Sequence, residues 1–176
     1  IRQLLRRFLE TAQRGVLSSD DQVVQKVVLA TGEFLITISN WNGQPWNGDS
    51  YMRDLALAGD SLLVLRHDDV IVLDASTGAY QRSFASDFNG ANALAVSGDF
   101  VYVADTINSA IKVLRHSDGT LVRTIGQLGD EPGDFDRPAG VAIGDGKLYV
   151  SEAVNGRIQV LSLPEGRPLQ MIRSPE

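Results

Sequence analysis

Two short patterns in this sequence could do chemistry: Asp105-Thr106-x-Asn108 and Glu152-x-x-Asn155, each an acid followed three positions later by an asparagine. Carboxylate and amide oxygens are hard donors, and several of them converging would suit Ca2+. The same spacing has a second reading, in which the acid accepts backbone N–H groups inside a turn. Arg66, His67, Asp68 and Asp69 form a further charged group. Residues 41–48, WNGQPWNG, carry Trp41 and Trp46, which either anchor a partner or fold back into the protein.

Other chemistry finds little support. The chain has no cysteine, hence no thiolate metal site, disulfide or cysteine nucleophile, and a cysteine-free chain suits any compartment. It contains no HExxH helix, nucleophile elbow or P-loop. Residues 126–133, GQLGDEPG, share only their glycines with a phosphate loop and read as a linker.

The elements that must position these residues follow from an internal repeat. Tyr149, Asn155, Ile158 and Gly166 each lie 47 positions after Tyr102, Asn108, Ile111 and Gly119. One offset holding across apolar, turn and glycine positions marks a structural repeat. The last copy divides into strands A (140–143), B (147–151), C (157–162) and D (169–173), and the copy before it into 93–96, 100–104, 110–114 and 121–125. Asp-Gly and Asn-Gly supply hairpin turns, and no helical crossover fits between, so each unit is an antiparallel meander. An earlier copy maps Leu62 onto Val101 at offset 39 and Gly78 onto Gly119 at offset 41, which shortens its B–C turn by two residues. A first, incomplete unit ends where Thr31-Gly32 answers Thr77-Gly78, with 16–18 and 23–27 as candidates for its front half. Ahead of it, Ile1, Leu4, Leu5, Phe8, Leu9 and Ala12 make one apolar stripe at helical period.

Successive four-stranded meanders of this period are the mark of β-propeller blades. The expected fold is all-β: a short amphipathic helix over residues 1–14, then about three to four blades over 15–176. Their expected bounds are 15–50 (incomplete), 51–90, 91–137 and 138–176.

The last unit resembles an NHL repeat through Phe135, Pro138, Gly140, Val141, Ala142, Tyr149, Val150, Asn155, Arg157, Ile158 and Gln159. Glu152 stands where that family prefers Asp, and Ala110 where it prefers Arg. Both departures are expected to weaken the polar bracing of the B–C turn. The resemblance implies a six-bladed ring of which these residues form part, the rest coming from a larger chain or from self-association.

In a propeller the B–C turns and the D–A loops emerge on one face, which makes Trp41, Trp46, Arg66, His67, Asp105, Asn108, Arg137, Glu152 and Asn155 the candidate binding set. His67 ends a B strand and His116 a C strand, so they fall on opposite faces; this nearly excludes a two-histidine metal site within one chain and counts against the zinc-dependent amidating lyases of related fold. The net charge is −6: residues 1–14 contribute +3, and the remainder −9 from 12 basic and 21 acidic residues. An acidic body disfavours nucleic acid, and no 18-residue apolar run spans a membrane. The expected function is a non-enzymatic scaffold for a protein or peptide partner, a basic one matching the acidic turns. The alternative is a Ca2+-dependent hydrolase or lactonase on a six-bladed propeller, with Asp105 and Glu152 as ligands; otherwise no cofactor is expected.

Overall fold

The computed structural model describes residues 13–18, 23–28, 34–38, 40–41, 44–45, 52–85 and 87–173, with side chains from Met52 onward except at Ala85. Three four-stranded antiparallel meanders follow one another. The first holds β6 (Met52–Ala58), β7 (Ser61–Arg66), β8 (Asp69–Asp74) and β9 (Tyr80–Ala85). The second holds β10 (Ala91–Ser97), β11 (Phe100–Asp105), β12 (Ala110–Arg115) and β13 (Leu121–Ile125). The third holds β14 (Pro138–Gly144), β15 (Lys147–Glu152), β16 (Arg157–Ser162) and β17 (Pro168–Arg173).

Ahead of them lie a three-stranded sheet of β1 (Gln13–Ser18), β2 (Val23–Val28) and β3 (Phe34–Ile38), and a hairpin of β4 (Asn40–Trp41) and β5 (Gln44–Pro45). Bulges identify which blade positions β1–β3 occupy. In each complete blade the C–D pairing shifts register once, between Val72 and Leu73, Val113 and Leu114, or Val160 and Leu161, while the B–C pairing runs without a shift. The β2–β3 pairing shifts between Lys26 and Val27, and β1–β2 does not shift. Moreover, β1 lies against β6 as β7 lies against β10 and β11 against β14. The strands β1, β2 and β3 are therefore the B, C and D strands of a blade, so that 23–27 is its third strand rather than part of its front half. Of the helix expected over 1–14, residues 1–12 lie outside the described residues. Gln13 and Arg14 belong instead to β1, where they pair with Val28 and Val27.

The sheets stack face to face. Leu63, Leu65, Val70 and Val72 of the first complete blade pack against Leu94, Val101, Val103 and Leu114 of the second. Tyr102, Ile111, Val113 and Ile125 then pack against Leu148, Val150 and Leu161 of the third. Phe88 and Phe135, 47 positions apart, enter these two cores from the D–A loops.

One glycine in each of the last two blades is set by this stacking. Gly119 and Gly166 close the C–D turns at φ +75° and +77°, in the left-handed region that a Cβ disfavours. A Cβ on Gly119 would sit 2.3 Å from the Cβ of Phe84 on the preceding blade, and one on Gly166 would sit 2.6 Å from Ile125 Cδ1. The D strand of one blade thus lies in the space that the next blade's glycine leaves open. Gly119→Ala should combine left-handed strain of about 1–2 kcal/mol with overpacking of about 1–3 kcal/mol. Urea denaturation should show a loss of at least 2 kcal/mol by that reckoning; a loss under about 1 kcal/mol would mean that Phe84 relaxes freely.

Candidate functional site: the loop face

The B–C turns and D–A loops meet on one end of the stacked sheets, and Asp105 and Glu152 tie them together from beneath. Glu152 closes β15, and its side chain has no solvent exposure. Its Oε2 accepts from the Asp136 backbone N–H at 2.9 Å and from Asn155 Nδ2 at 2.7 Å. Its Oε1 accepts from Arg157 Nε at 2.6 Å and Gln159 Nε2 at 3.0 Å. Arg157 continues outward, donating to the carbonyls of Asp130, Glu131 and Asp134, while Gln159 donates to Asp134 O and accepts from the Gly133 N–H. The linker 126–137 is thereby stitched, carbonyl by carbonyl, onto the blade that follows it.

Asp105 does the same one blade earlier. It accepts from the Asn89 N–H at 2.7 Å and from Asn108 Nδ2 at 2.8 Å, and it pairs with Lys112 Nζ at 3.1 Å. Lys112 also donates to Asp87 O and lies 5.4 Å from the centre of the Phe88 ring. The two departures from the NHL pattern leave this brace intact, contrary to expectation. Glu152 reaches all the donors that its longer side chain must reach. Ala110, which occupies the place of Arg157, is made good by Lys112, two residues on along the same face of β12 and equivalent to Gln159 (47 positions).

In the first complete blade the pair is inverted. Arg66 stands at the position of Asp105 (offset 39) and Asp69 at that of Ala110 (offset 41). The Arg66 guanidinium donates to both carboxylate oxygens of Asp69, at 2.6 and 2.5 Å. Arg66 is therefore buried at the base of its turn, whereas His67 and Asp68 at the apex are exposed.

The oxygens of Asp105 and Glu152 are thus occupied within the protein, as the turn-bracing reading has it. Among the described residues no group of three or more His, Asp and Glu side chains could hold a metal ion. Asn108 is exposed beside its acid and Asn155 half-buried. Arg137 is exposed at φ +52°, in the left-handed region, where its equivalent 47 positions earlier is Gly90. The backbone of Trp41 lies in the β4–β5 hairpin, paired with Gln44; its side chain and Trp46 lie outside the described residues.

Three apolar side chains on this face escaped the sequence reading: Ile107 is 61% exposed, Val154 56% and Leu128 70%. Ile107 and Val154 are 47 positions apart and crown successive B–C turns. The offset that located the repeat could have found this pair; Ile107 lies over Gly90 with most of its surface still exposed.

The family model of the NHL repeat matches residues 135–161. The last blade carries an NHL repeat. Its core is the segment just described, running from Phe135 in the D–A loop through Glu152 to Leu161. Solved structures similar to the chain include propeller-type proteins. U3-55K is 17% identical with a TM-score of 0.72, covering 95% of this chain and 50% of that one. The WD40 repeats of RRP9 are 17% identical with a TM-score of 0.69, covering 91% and 47%. The designed protein Ika8 is 18% identical with a TM-score of 0.62, covering 91% and 46%. The chain spans about half the length of these structures, and at such identities the likeness is one of fold. No curated protein matches the sequence.

Burial pushes the Glu152 carboxyl up, but the hydrogen bonds from Arg157, the Asp136 N–H, Asn155 and Gln159 together outweigh it and hold the group below its ordinary value. A depressed pKa stabilises the fold above about 4.5, the ordinary value, and that contribution is lost as pH falls through the folded value. Glu152→Gln keeps the shape and strands the buried Arg157 charge, at a cost of about 3 kcal/mol at neutral pH. Chemical denaturation across pH should show the gap between the two proteins narrowing below about 4.5. A gap that is constant with pH would mean that the charge of Glu152 contributes nothing.

Proposed function

We propose that the loop face is a recognition surface for a protein or peptide partner, with apolar contacts at the turn apices and a preference for basic segments. Propeller blades of the NHL and WD40 kind generally serve as scaffolds for protein interaction, and fold alone does not say for what. The observation that carries the reading is the exposure of Ile107 and Val154 at equivalent apices, above a brace that fixes the turns beneath them. Leu128 adds a third apolar contact from the D–A loop. Around them Asp68, Asp87, Asp130 and Glu131 are exposed, against Arg137 alone of the cationic candidates. Such a rim selects a positively charged partner and speeds its approach. Trp41 and Trp46, on the loop between the incomplete and first complete blades, are proposed as aromatic anchors.

The probe is a phage-displayed peptide library panned on the immobilised chain. Enriched peptides should pair Lys or Arg with an aliphatic or aromatic residue. The double variant Ile107→Ser/Val154→Ser should weaken the best of them about tenfold, which is about 1.4 kcal/mol, without lowering the melting temperature. Trp41→Ala/Trp46→Ala should do the same if the anchors are as proposed. Peptides that bind wild type and apex variant alike would overturn the reading.

A further inference from the structure

We propose that the seam between the first and second complete blades is a latch that acid releases, with His116 as its sensor. The latch lies on the side away from the loop face, where the turn between β12 and β13 meets β9. Arg82 Nη2 donates to the His116 carbonyl at 2.7 Å, so the last strand of one blade holds the C–D turn of the next. Three positions after His116, Gly119 is pressed against Phe84 of that same strand. The two latch residues also carry the only buried side-chain nitrogen or oxygen atoms that lack a hydrogen-bond partner among the described residues, Arg82 Nε and His116 Nε2.

A neutral imidazole can keep its hydrogen on Nδ1 and leave Nε2 bare, whereas an imidazolium carries a hydrogen on both nitrogens. Protonation therefore creates a buried donor at Nε2 with nothing to accept from it. It also sets a second positive charge beside Arg82. Burial lowers the pKa of His116 and the Arg82 guanidinium lowers it further, while Asp99 in the β10–β11 turn opposes both. Arg115 and Asp118, in the same turn as His116, are exposed and pair with each other at 3.5 Å. The unfolded chain takes up this proton near 6.5 and the folded chain only below it. The stability that neutral His116 contributes is thus present above about 6.5 and is lost as pH falls through the folded value. Lifting the turn off β9 gives Nε2 access to water and uncovers Phe84. The repeat shows that the fold itself needs no histidine here. Ala75, 41 positions earlier, and Leu163, 47 later, hold the equivalent place and are half-buried like His116. At the next seam the counterparts of Arg82 and His116 are Arg123 and Leu163, a pair that cannot take up a proton.

The test is urea denaturation between about pH 6.5 and 4.5, the ordinary values of histidine and glutamate. It uses the His67→Gln chain, in which His116 is the one histidine left. The folding equilibrium constant should fall by up to about tenfold per pH unit within that window. Hydrogen exchange, corrected for its own pH dependence, should show residues 80–85 and 116–120 losing protection while β15 and β16 keep theirs. Adding His116→Leu, which copies Leu163, should make both profiles flat. Proton NMR titration of the His67→Gln chain reads the His116 pKa directly, whether or not the leucine variant folds, and should place it below 6.5. A value at or above 6.5 would overturn the proposal, as would a pH profile that survives His116→Leu. A fall in stability with no loss of protection at 80–85 and 116–120 would overturn it too, by showing that the seam stays shut.

Discussion

Every complete blade here is apolar on both sides, and that constraint governs the rest of the structure. β7 reads Ser-Leu-Leu-Val-Leu-Arg: Leu62 and Val64 lie on one side of the sheet, and Leu63 and Leu65 on the other, against the blade after. No solvated face alternates with the buried one, as it would in an ordinary antiparallel sheet. A sheet of this kind cannot stand alone in water, and it becomes stable only between two others of its kind. The stacking then dictates local sequence. Phe88 and Phe135 fill the wedge where each D–A loop enters, and Gly119 and Gly166 give up a side chain so that the neighbouring D strand can approach.

A second requirement follows from the first. Stacked sheets force the chain across a gap between one blade's outer strand and the next blade's inner strand, and that crossing leaves backbone groups without ladder partners. Between β13 and β14 the crossing is long, and the carbonyls of Asp130, Glu131 and Asp134 find donors in Arg157 and Gln159. Those donors are oriented by Glu152, which also takes the Asp136 N–H. The buried ion pair thus does not act mainly as an attraction between two charges, which desolvation would largely cancel. It is the hub that lets a loop of irregular backbone lie flat on the blade.

How far this could be read from the sequence depended on periodicity. The 47-residue offset gave the strands of the last two blades to within one or two residues, since Asp-Gly and Asn-Gly turns and left-handed glycines punctuate them. Periodicity failed where the signal was mixed. Gln13 and Arg14 fell within the helix expected over 1–14, yet they pair as strand with Val28 and Val27, because a ladder partner outweighs local period. The role of Lys112 was hidden, since a motif comparison asks what stands at position 110 and not which cation can reach Asp105. The inversion at Arg66 and Asp69 was hidden for the same reason: the spacing was legible and the sign of each charge was not expected to exchange.

That inversion bears on where recognition can reside. Three blades place an ion pair between the end of strand B and strand C, and they do it as Arg66 with Asp69, Asp105 with Lys112, and Glu152 with Arg157. What is kept is a satisfied, buried pair; which partner carries which sign is free to change. A partner protein could not read a charge whose sign the fold can exchange behind a closed turn. On the proposed reading, side chains that discriminate stand above the brace, where the backbone is fixed and the side chain is not consumed by fixing it. On the described part of this face the exposed side chains of that kind include His67, Asp68, Ile107 and Val154 at the apices and Asp87, Leu128, Asp130, Glu131 and Arg137 in the loops. Arg137 fits the pattern from another direction. It holds a left-handed backbone that its counterpart Gly90 adopts without strain, so a side chain is present there at a cost that the fold alone gives no reason to bear.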